Sequence, residues 1–216
     1  MNGVFSSLCR IFLTPIIKTL FIKEIRSLEN FPKRNFILVS NHQSYLDVLV
    51  NGCLCTPRRF HFIGQTDGWK GLSNYLIRGF YFLSGVIALD RKSEESRKKA
   101  IQKAIKVLKK GDILIIYPEG TRSTTGKIQK GKLGVANIFL KTGVPILPVG
   151  IKGTFELMPP KGKLKIKKIV EVNIGKLLFF DKELKESEKL DESSMEYLQI
   201  AQHITDKIME NIADLS

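Results

Sequence analysis

Residues 93–123 read SEESRKKAIQKAIKVLKKGDILIIYPEGTRS, and this stretch decides the fold class. Its first half predicts a helix over 93–110. Ser93 can cap it, Glu94 and Glu95 sit in the first turn, and Gly111 follows the end. Ile101, Ala104, Ile105 and Leu108 make one apolar face. Lys98, Lys99, Lys103, Lys106, Lys109 and Lys110 cover the rest, a pattern that reads first as a solvated face and second as a contact for anionic lipid. The second half opens on ILIIY (113–117), an unbroken apolar run with the length of a buried strand. It passes directly into the polar loop Pro118–Ser123. A helix feeding a buried strand that ends in a polar loop is the repeating unit of a sheet with helices packed on it.

The same unit recurs outward in both directions. FILVS (36–40) is a second buried strand; it runs into Asn41-His42, and a helix follows from about Ser44, with Ser44 as cap and Asp47 in the first turn. Residues 58–83 are aromatic and dotted with glycine, with a helix near 70–80, and 84–90 (SGVIALD) read as a strand. A helix over 132–141 precedes VPILPVGI (144–151), whose prolines argue for an edge or irregular strand. Residues 163–174 alternate as a half-exposed strand, with Leu164, Ile166, Val170, Val172 and Ile174 on one face. Lys182–Ser193 reads as a charged linker, and 194–215 as an amphipathic helix on Leu198, Ala201, Ile204, Ile208 and Ile212. The order predicts an α/β fold: a mixed, mostly parallel sheet flanked by helices. In such sheets chemistry gathers in the loops at the strand ends.

The chain's start differs. Across residues 4–22, Val4, Phe5, Leu8, Ile11, Phe12, Ile16, Leu20 and Phe21 form a wide apolar surface, while Ser6, Arg10, Thr14 and Lys18 recur every fourth residue. Pro15 should kink or split this helix. Basic residues on one side and aromatics on the other fit a helix lying in the lipid interface; the alternative is a helix covering the domain core. The expected organisation is therefore a membrane-associating segment over 1–30 and one domain over 31–216.

Composition bounds the function. The 216 residues are 43% hydrophobic and 26% charged, which excludes disordered and fibrous classes. Lys+Arg number 35 against 21 Asp+Glu, a net charge of +14. Such a surface attracts nucleic acid, an anionic bilayer or an acidic carrier, and charge does not choose among them. Cys9, Cys53 and Cys55 form no C-x-x-C, so a reducing compartment is the default. His42, His61 and His203 are scattered and no HExxH occurs, so no protein metal site is expected. No apolar run is long enough to span a bilayer, and no basic region precedes the N-terminal apolar stretch as a secretory signal requires.

Two loops carry chemistry. In NHQSYLD (41–47), His42 and Asp47 are five apart, so they meet only if His42 lies in the turn before the helix and Asp47 in its first turn. Asp47 would then hold one imidazole nitrogen and leave the other unprotonated toward substrate, the base–orienter half of a triad without a protein nucleophile. The plain alternative is a satisfied histidine with Asp47 serving the helix N-terminus. In YPEGTRS (117–123), Gly120 permits close backbone approach, Arg122 offers a fork for phosphate, and Thr121 and Ser123 offer hydroxyls. Glu119 could orient that fork or bind an acceptor hydroxyl; the plain alternative is a turn with an incidental ion pair. A P-loop is excluded, because the Gly120 to Gly126-Lys127 spacing is wrong and Ile128 stands where Ser or Thr is required. A third stretch, GVIALDR (85–91), ends a strand on Asp90-Arg91 and can bring a second cation to the same cleft.

These blocks resemble the glycerolipid acyltransferases, the family of 1-acylglycerol-3-phosphate acyltransferases. NHQSYLD matches their NHxSxxD (HX4D) block, YPEGTRS their FPEGTRS block, GVIALDR their glycine-to-arginine block and VPILPV their VPIxPV block, in the family's order over residues 41–149. The resemblance implies His42 as catalytic base with Asp47 as its partner. It implies Glu119, Gly120 and Arg122 at acceptor and phosphate positions, Arg91 as a further phosphate contact, and Val144 and Pro145 in a block that shapes the acyl side of the cleft. Ala88 departs from a common proline, and Gln65 stands near a common lysine.

The implied reaction is direct transfer of a fatty acyl group from acyl-CoA or acyl carrier protein to the hydroxyl of 1-acylglycerol-3-phosphate. No cofactor beyond the donor is expected, and backbone N–H groups around Gly120 are the expected oxyanion donors. The implied partners are anionic membrane lipids and the lysophospholipid acceptor, with no nucleic acid. The implied place is the cytoplasmic face of a membrane, peripheral or monotopic. Another lysophospholipid, a lyso-aminolipid or glycerol 3-phosphate are alternative acceptors. A non-catalytic membrane-surface scaffold and a nucleic-acid-binding protein are readings of another class; the second leaves both loops without a role.

Overall fold

The computed structural model describes residues 9–66, 79 and 84–216. The helix expected near 70–80 lies outside the described residues. The described chain forms α1 (Thr14–Leu20), β1 (Ile22–Arg26), β2 (Ile37–Ser40), α2 (Leu46–Cys55), β3 (Phe60–Gln65), β4 (Ile87–Leu89), α3 (Glu94–Lys109), β5 (Ile113–Ile116) and α4 (Gly134–Thr142). It continues through β6 (Ile146–Lys152), a single turn α5 (Thr154–Leu157), β7 (Val170–Ile174), α6 (Asp181–Ser187) and α7 (Met195–Leu215).

The strands make one seven-stranded sheet in the order β1-β7-β6-β2-β5-β3-β4. Every neighbouring pair is parallel except β6 with β7. This is the mixed, mostly parallel sheet that the sequence predicts. β2 and β5 lie side by side at its centre and every residue in them is buried, which is why FILVS and ILIIY read as unbroken apolar runs rather than alternating ones. Their side chains divide between the two faces. Leu38 and Ile115 join a core with Ile17 of α1 and Val50 of α2. Ile37, Val39 and Leu114 join a second core with Ala104 of α3, Phe139 of α4 and Ile204 of α7.

The chain leaves β2 toward β3, on the far side of β5, and leaves β5 toward β6, on the far side of β2. The connections therefore diverge above the carboxyl ends of β2 and β5, the place where open α/β sheets put their sites. The two loops singled out by sequence are the ones that follow these strands.

Several expectations change. β6 is an interior strand, not an edge. Pro148 is tolerated because its carbonyl accepts from Gly175 N at 2.9 Å, on the β7 side, just beyond the last β6–β7 pair at Val149–Ile174. Its missing N–H thus falls where that ladder stops. Of the alternating stretch 163–174 only Val170–Ile174 is strand, since β1 and β6 flank β7 only there. The charged stretch after residue 180 is not all linker: Asp181–Ser187 is helix.

The N-terminal helix ends at Leu20, and Ile22–Arg26 then pair in parallel with β7. The boundary drawn at residue 30 therefore falls beyond residues that belong to the sheet. Cys9–Leu13 form a π-type turn ahead of α1, and Pro15 sits in the first turn of α1, where an absent N–H breaks no bond. Ile17 and Phe21 are buried in the core while Ile11, Phe12, Ile16 and Leu20 stay exposed. The buried pair fits the reading of a helix that covers the domain core.

Candidate active site

The site begins with Asn41, the first residue beyond β2. Its side-chain amide donates to Ile151 O at 2.8 Å and its Oδ1 accepts from Ile151 N at 2.9 Å. The carboxamide thereby continues the β2–β6 pairing through a side chain, and the backbone is released to turn. His42 and Gln43 occupy that turn, and α2 starts at Leu46.

Asp47 is fully buried in the first turn of α2. Its Oδ2 accepts from Gln43 N and Ser44 N, both at 2.7 Å, and lies 3.0 Å from His42 Nδ1. Ser44 keeps part of the capping role expected of it, its Oγ accepting from Leu46 N at 3.1 Å, while Asp47 receives the N–H groups of the loop ahead of the helix. Ser44 is buried and its hydroxyl donates to Met158 O at 2.8 Å. The His42 ring stacks on Tyr117 with centroids 4.0 Å apart. Burial, and next the Asp47 charge, hold the Tyr117 phenol well above its ordinary range, so it is a neutral platform. Asn51 donates to its hydroxyl at 3.2 Å. The imidazole is therefore fixed by a carboxylate at Nδ1 and by a ring beneath.

The second loop is tied to the first through its backbone. Ser123 N donates to His42 O at 2.7 Å. Glu119 Oε1 accepts from His42 N at 2.7 Å, and Oε2 accepts from Gln129 N at 2.9 Å. Both carboxylate oxygens of Glu119 thus hold backbone, and this buried side chain does not orient the Arg122 fork. Burial pushes the Glu119 carboxyl above its ordinary range, against the opposing pull of those N–H groups. Ser123 is buried as well, with its hydroxyl turned to Thr125. Thr121 is exposed, and its carbonyl accepts from Gln129 Nε2 at 3.4 Å.

Two cations, Arg91 and Lys132, meet at Gly120, and Arg122 follows two residues on. The Arg122 guanidinium lies over the Tyr45 ring, 3.5 Å from its centroid. Arg91 Nη1, beyond the end of β4, donates to Gly120 O at 3.2 Å. Lys132 folds over the same glycine so closely that an added Cβ would meet Nζ at 2.9 Å, and φ there is +69°. The φ favours glycine there, whereas the tip of the lysine side chain could move aside. Its N–H donates to Tyr117 O at 3.0 Å, so it is not a free oxyanion donor as expected.

The structure thus brings His42, Asp47, Arg91, Glu119, Gly120, Thr121, Arg122 and Ser123 to the carboxyl ends of the central strands. It does not bring Val144 and Pro145 there. Pro145 O accepts from Ile37 N at the start of β2, the opposite end of the sheet from His42. Asn41, Tyr45, Tyr117 and Lys132 were not singled out from sequence. Asn41 and Tyr45 lie inside the NHQSYLD block, but nothing local marks the strand or the cation each of them meets.

A carboxylate-anchored imidazole in one loop, tied through its backbone to a second loop that carries cations, is the arrangement of the site, and the chain belongs to the acyltransferase family, whose model (Acyltransferase) matches residues 23–152. Within it, the chain is similar to 1-acyl-sn-glycerol-3-phosphate acyltransferase BAT2, chloroplastic, of Brassica napus. The two are 34% identical over 152 residues, 69% of this chain and 41% of that one. It is 32% identical to the 1-acyl-sn-glycerol-3-phosphate acyltransferase of Saccharomyces cerevisiae over 138 residues, 62% of this chain and 44% of that one. The chain spans about two-fifths of the length of such curated relatives. Among solved structures, the 1-acyl-sn-glycerophosphate (LPA) acyltransferase PlsC of Thermotoga maritima superimposes with a TM-score of 0.66 at 27% identity. That match covers 96% of this chain and 79% of the other.

Proposed function

We propose that the protein transfers a fatty acyl group from an acyl thioester to the free hydroxyl of 1-acylglycerol-3-phosphate, giving phosphatidate. The observation that carries this reading is His42 Nδ1 at 3.0 Å from the buried Asp47 carboxylate. With its proton held at Nδ1, the imidazole keeps the Nε2 lone pair for the acceptor. Nε2 takes the hydroxyl proton as the acceptor oxygen attacks the thioester carbonyl. The tetrahedral intermediate then expels the thiolate, which regains that proton from His42. Base catalysis of this kind contributes roughly 10²–10⁴-fold.

Arg122, Arg91 and Lys132 supply positive charge for the acceptor phosphate, and fixing the acceptor makes the attack effectively intramolecular. The names of the relatives support lysophosphatidate as acceptor. Acyl-CoA and acyl carrier protein both fit as donors, and the chemistry needs no further cofactor.

Both substrates carry acyl chains, and the exposed Ile11, Phe12, Ile16 and Leu20 offer an apolar surface around α1, the helix that packs against α2. Among the described residues no helix is long and apolar enough to cross a membrane. We therefore place the protein on an anionic membrane, peripheral or monotopic, at the cytoplasmic face.

The test is thiol release from acyl-CoA or acyl carrier protein with lysophosphatidate, glycerol 3-phosphate and other lysophospholipids as acceptors, with the product identified by mass. Phosphatidate formed fastest from lysophosphatidate is the expected result. Normal vesicle binding without thiol release from any donor would leave a scaffold instead of an enzyme.

A further inference from the structure

The segment 161–168, KGKLKIKK, has no role in the site, yet its composition is extreme. It holds five lysines in eight residues, and no acid lies between Glu156 and Glu171. All eight residues are exposed. Leu164 and Ile166 alternate with the lysines and are 48% and 68% exposed. Glu171, the nearest acid downstream, is already paired with Lys23 at 2.7 Å. Nothing in the segment neutralises its charge.

The segment is nevertheless held in place. It leaves Pro159-Pro160 through a tight turn, in which Gly162 N donates to Pro159 O at 2.8 Å. Lys165 N donates to Leu157 O at 2.8 Å, and the next residue, Met158, accepts from Ser44 Oγ at 2.8 Å. Ser44 N in turn donates to Asp47. At its other end Val170 N donates to Phe21 O at 2.8 Å, beside the exposed Leu20 of α1. One side of the ribbon is thus anchored to the loop that carries His42, and the other end abuts the apolar surface of α1.

We propose that residues 161–168 dock on the headgroup layer of an anionic bilayer, as a second lipid contact beside α1 that sets the site against the membrane. The proposal rests on the reading of the site as one that acts on lipid. Lysines reach phosphate headgroups on flexible stems while Leu164 and Ile166 enter the acyl boundary between them. A nucleic acid would match the charge but has no use for exposed aliphatic side chains, and the segment has no aromatic ring for bases to stack on.

The test uses phosphatidylcholine vesicles with and without phosphatidylglycerol, and compares the full chain with K163A/K165A/K167A and L164S/I166S. Each lysine near an anionic surface is worth about fivefold in partitioning, so the triple variant should bind anionic vesicles about a hundredfold more weakly. L164S/I166S should weaken binding with little change in its salt dependence. In both variants, turnover of vesicle-borne lysophosphatidate should fall, while melting temperature and thiol release with a short-chain, water-soluble acceptor stay at the wild-type level. Wild-type binding by the triple variant overturns the proposal. So does unchanged vesicle binding with lost turnover of acyl carrier protein, which would assign the ribbon to an acidic carrier. If wild type fails on the water-soluble acceptor too, the enzymatic reading fails, and the vesicle comparison still decides what the ribbon binds.

Discussion

Replacing Asp47 by Asn removes one charge and keeps the shape, so it separates the electrostatic work of this residue from its structural work. Asp47 Oδ2 receives three donors, His42 Nδ1, Gln43 N and Ser44 N. Asn can keep all three only by presenting its carbonyl oxygen to them, which places its amide where Oδ1 is buried without a partner. In the transition state His42 becomes imidazolium at 3.0 Å from the carboxylate. At an effective dielectric near 20 that attraction is at most about 5–6 kcal/mol, whereas a neutral hydrogen bond contributes about 1. The difference, about 3–5 kcal/mol, corresponds to roughly 10²–10⁴ in rate. It exists only when the imidazole is charged, so it should appear in kcat and leave the acceptor KM nearly unchanged. Weaker loop bonds should also cost about 2–3 kcal/mol of stability, a fall of roughly 5–10 °C in Tm. Steady-state thiol release at saturating acyl-CoA, with a melting curve on the same sample, measures both. A folded Asp47→Asn protein whose kcat stays within a few-fold of wild type would refute the assignment of His42 and Asp47 as a base and its orienter.

His42→Ala should reduce thiol release by about 10²–10⁴-fold while Tm and vesicle binding stay close to wild type, as a melt and a sedimentation assay would report. Arg122→Ala should raise the acceptor KM roughly tenfold to a hundredfold with kcat little changed. Tyr45→Ala should raise it a fewfold, and Tyr45→Phe, which keeps the ring under the guanidinium, should not. Because the Glu119 pKa is raised in the fold, its contribution favours folding below the ordinary value of 4.5 and is lost as pH rises through the shifted value. Glu119→Gln has no such titration. Urea melts across pH should therefore show the stability of wild type relative to Glu119→Gln declining as pH rises, and an increase would contradict the assigned direction. Gly150→Ala would drive a methyl into the Leu215 backbone carbonyl and should cost about 1–3 kcal/mol in a denaturant melt without altering turnover per folded molecule.

The central strands were legible because burial on both faces leaves no room for polar residues, so FILVS and ILIIY stand out in any reading. α3 was legible because Ser93 caps it in fact as in prospect, accepting from Ser96 N at 3.1 Å. The errors share one cause: whether a segment pairs depends on partners distant in the chain. Ile22–Arg26 falls inside the expected membrane-associating segment 1–30, since nothing near it announces that β7, some 150 residues away, offers an edge. The alternation of 163–174 is genuine, but the flanking strands run out at Val170 and the lysine-rich half is left in water. Pro148 argues against an interior strand only if every N–H of that strand needs a partner, and the end of the β6–β7 ladder removes the need.

The site shows a related division. Sequence identified the residue types at the loop ends but could not tell which hold substrate and which hold the loops. Glu119 and Ser123 read as substrate ligands because they are polar and sit beside Arg122. Both are buried, and both bond to the backbone of His42. Their arrangement has a physical reason. The turn after β2 has left the sheet ladder, so the N–H groups of His42, Gln43 and Ser44 need new acceptors, and a carboxylate from each loop supplies them, Asp47 from one side and Glu119 from the other. A base held at Nδ1 can act only if its backbone is also fixed, and two buried acids do that without adding exposed charge to the site. The accessible charge there is left to Arg122, Arg91 and Lys132, and its sign is the one a phosphate-bearing acceptor requires.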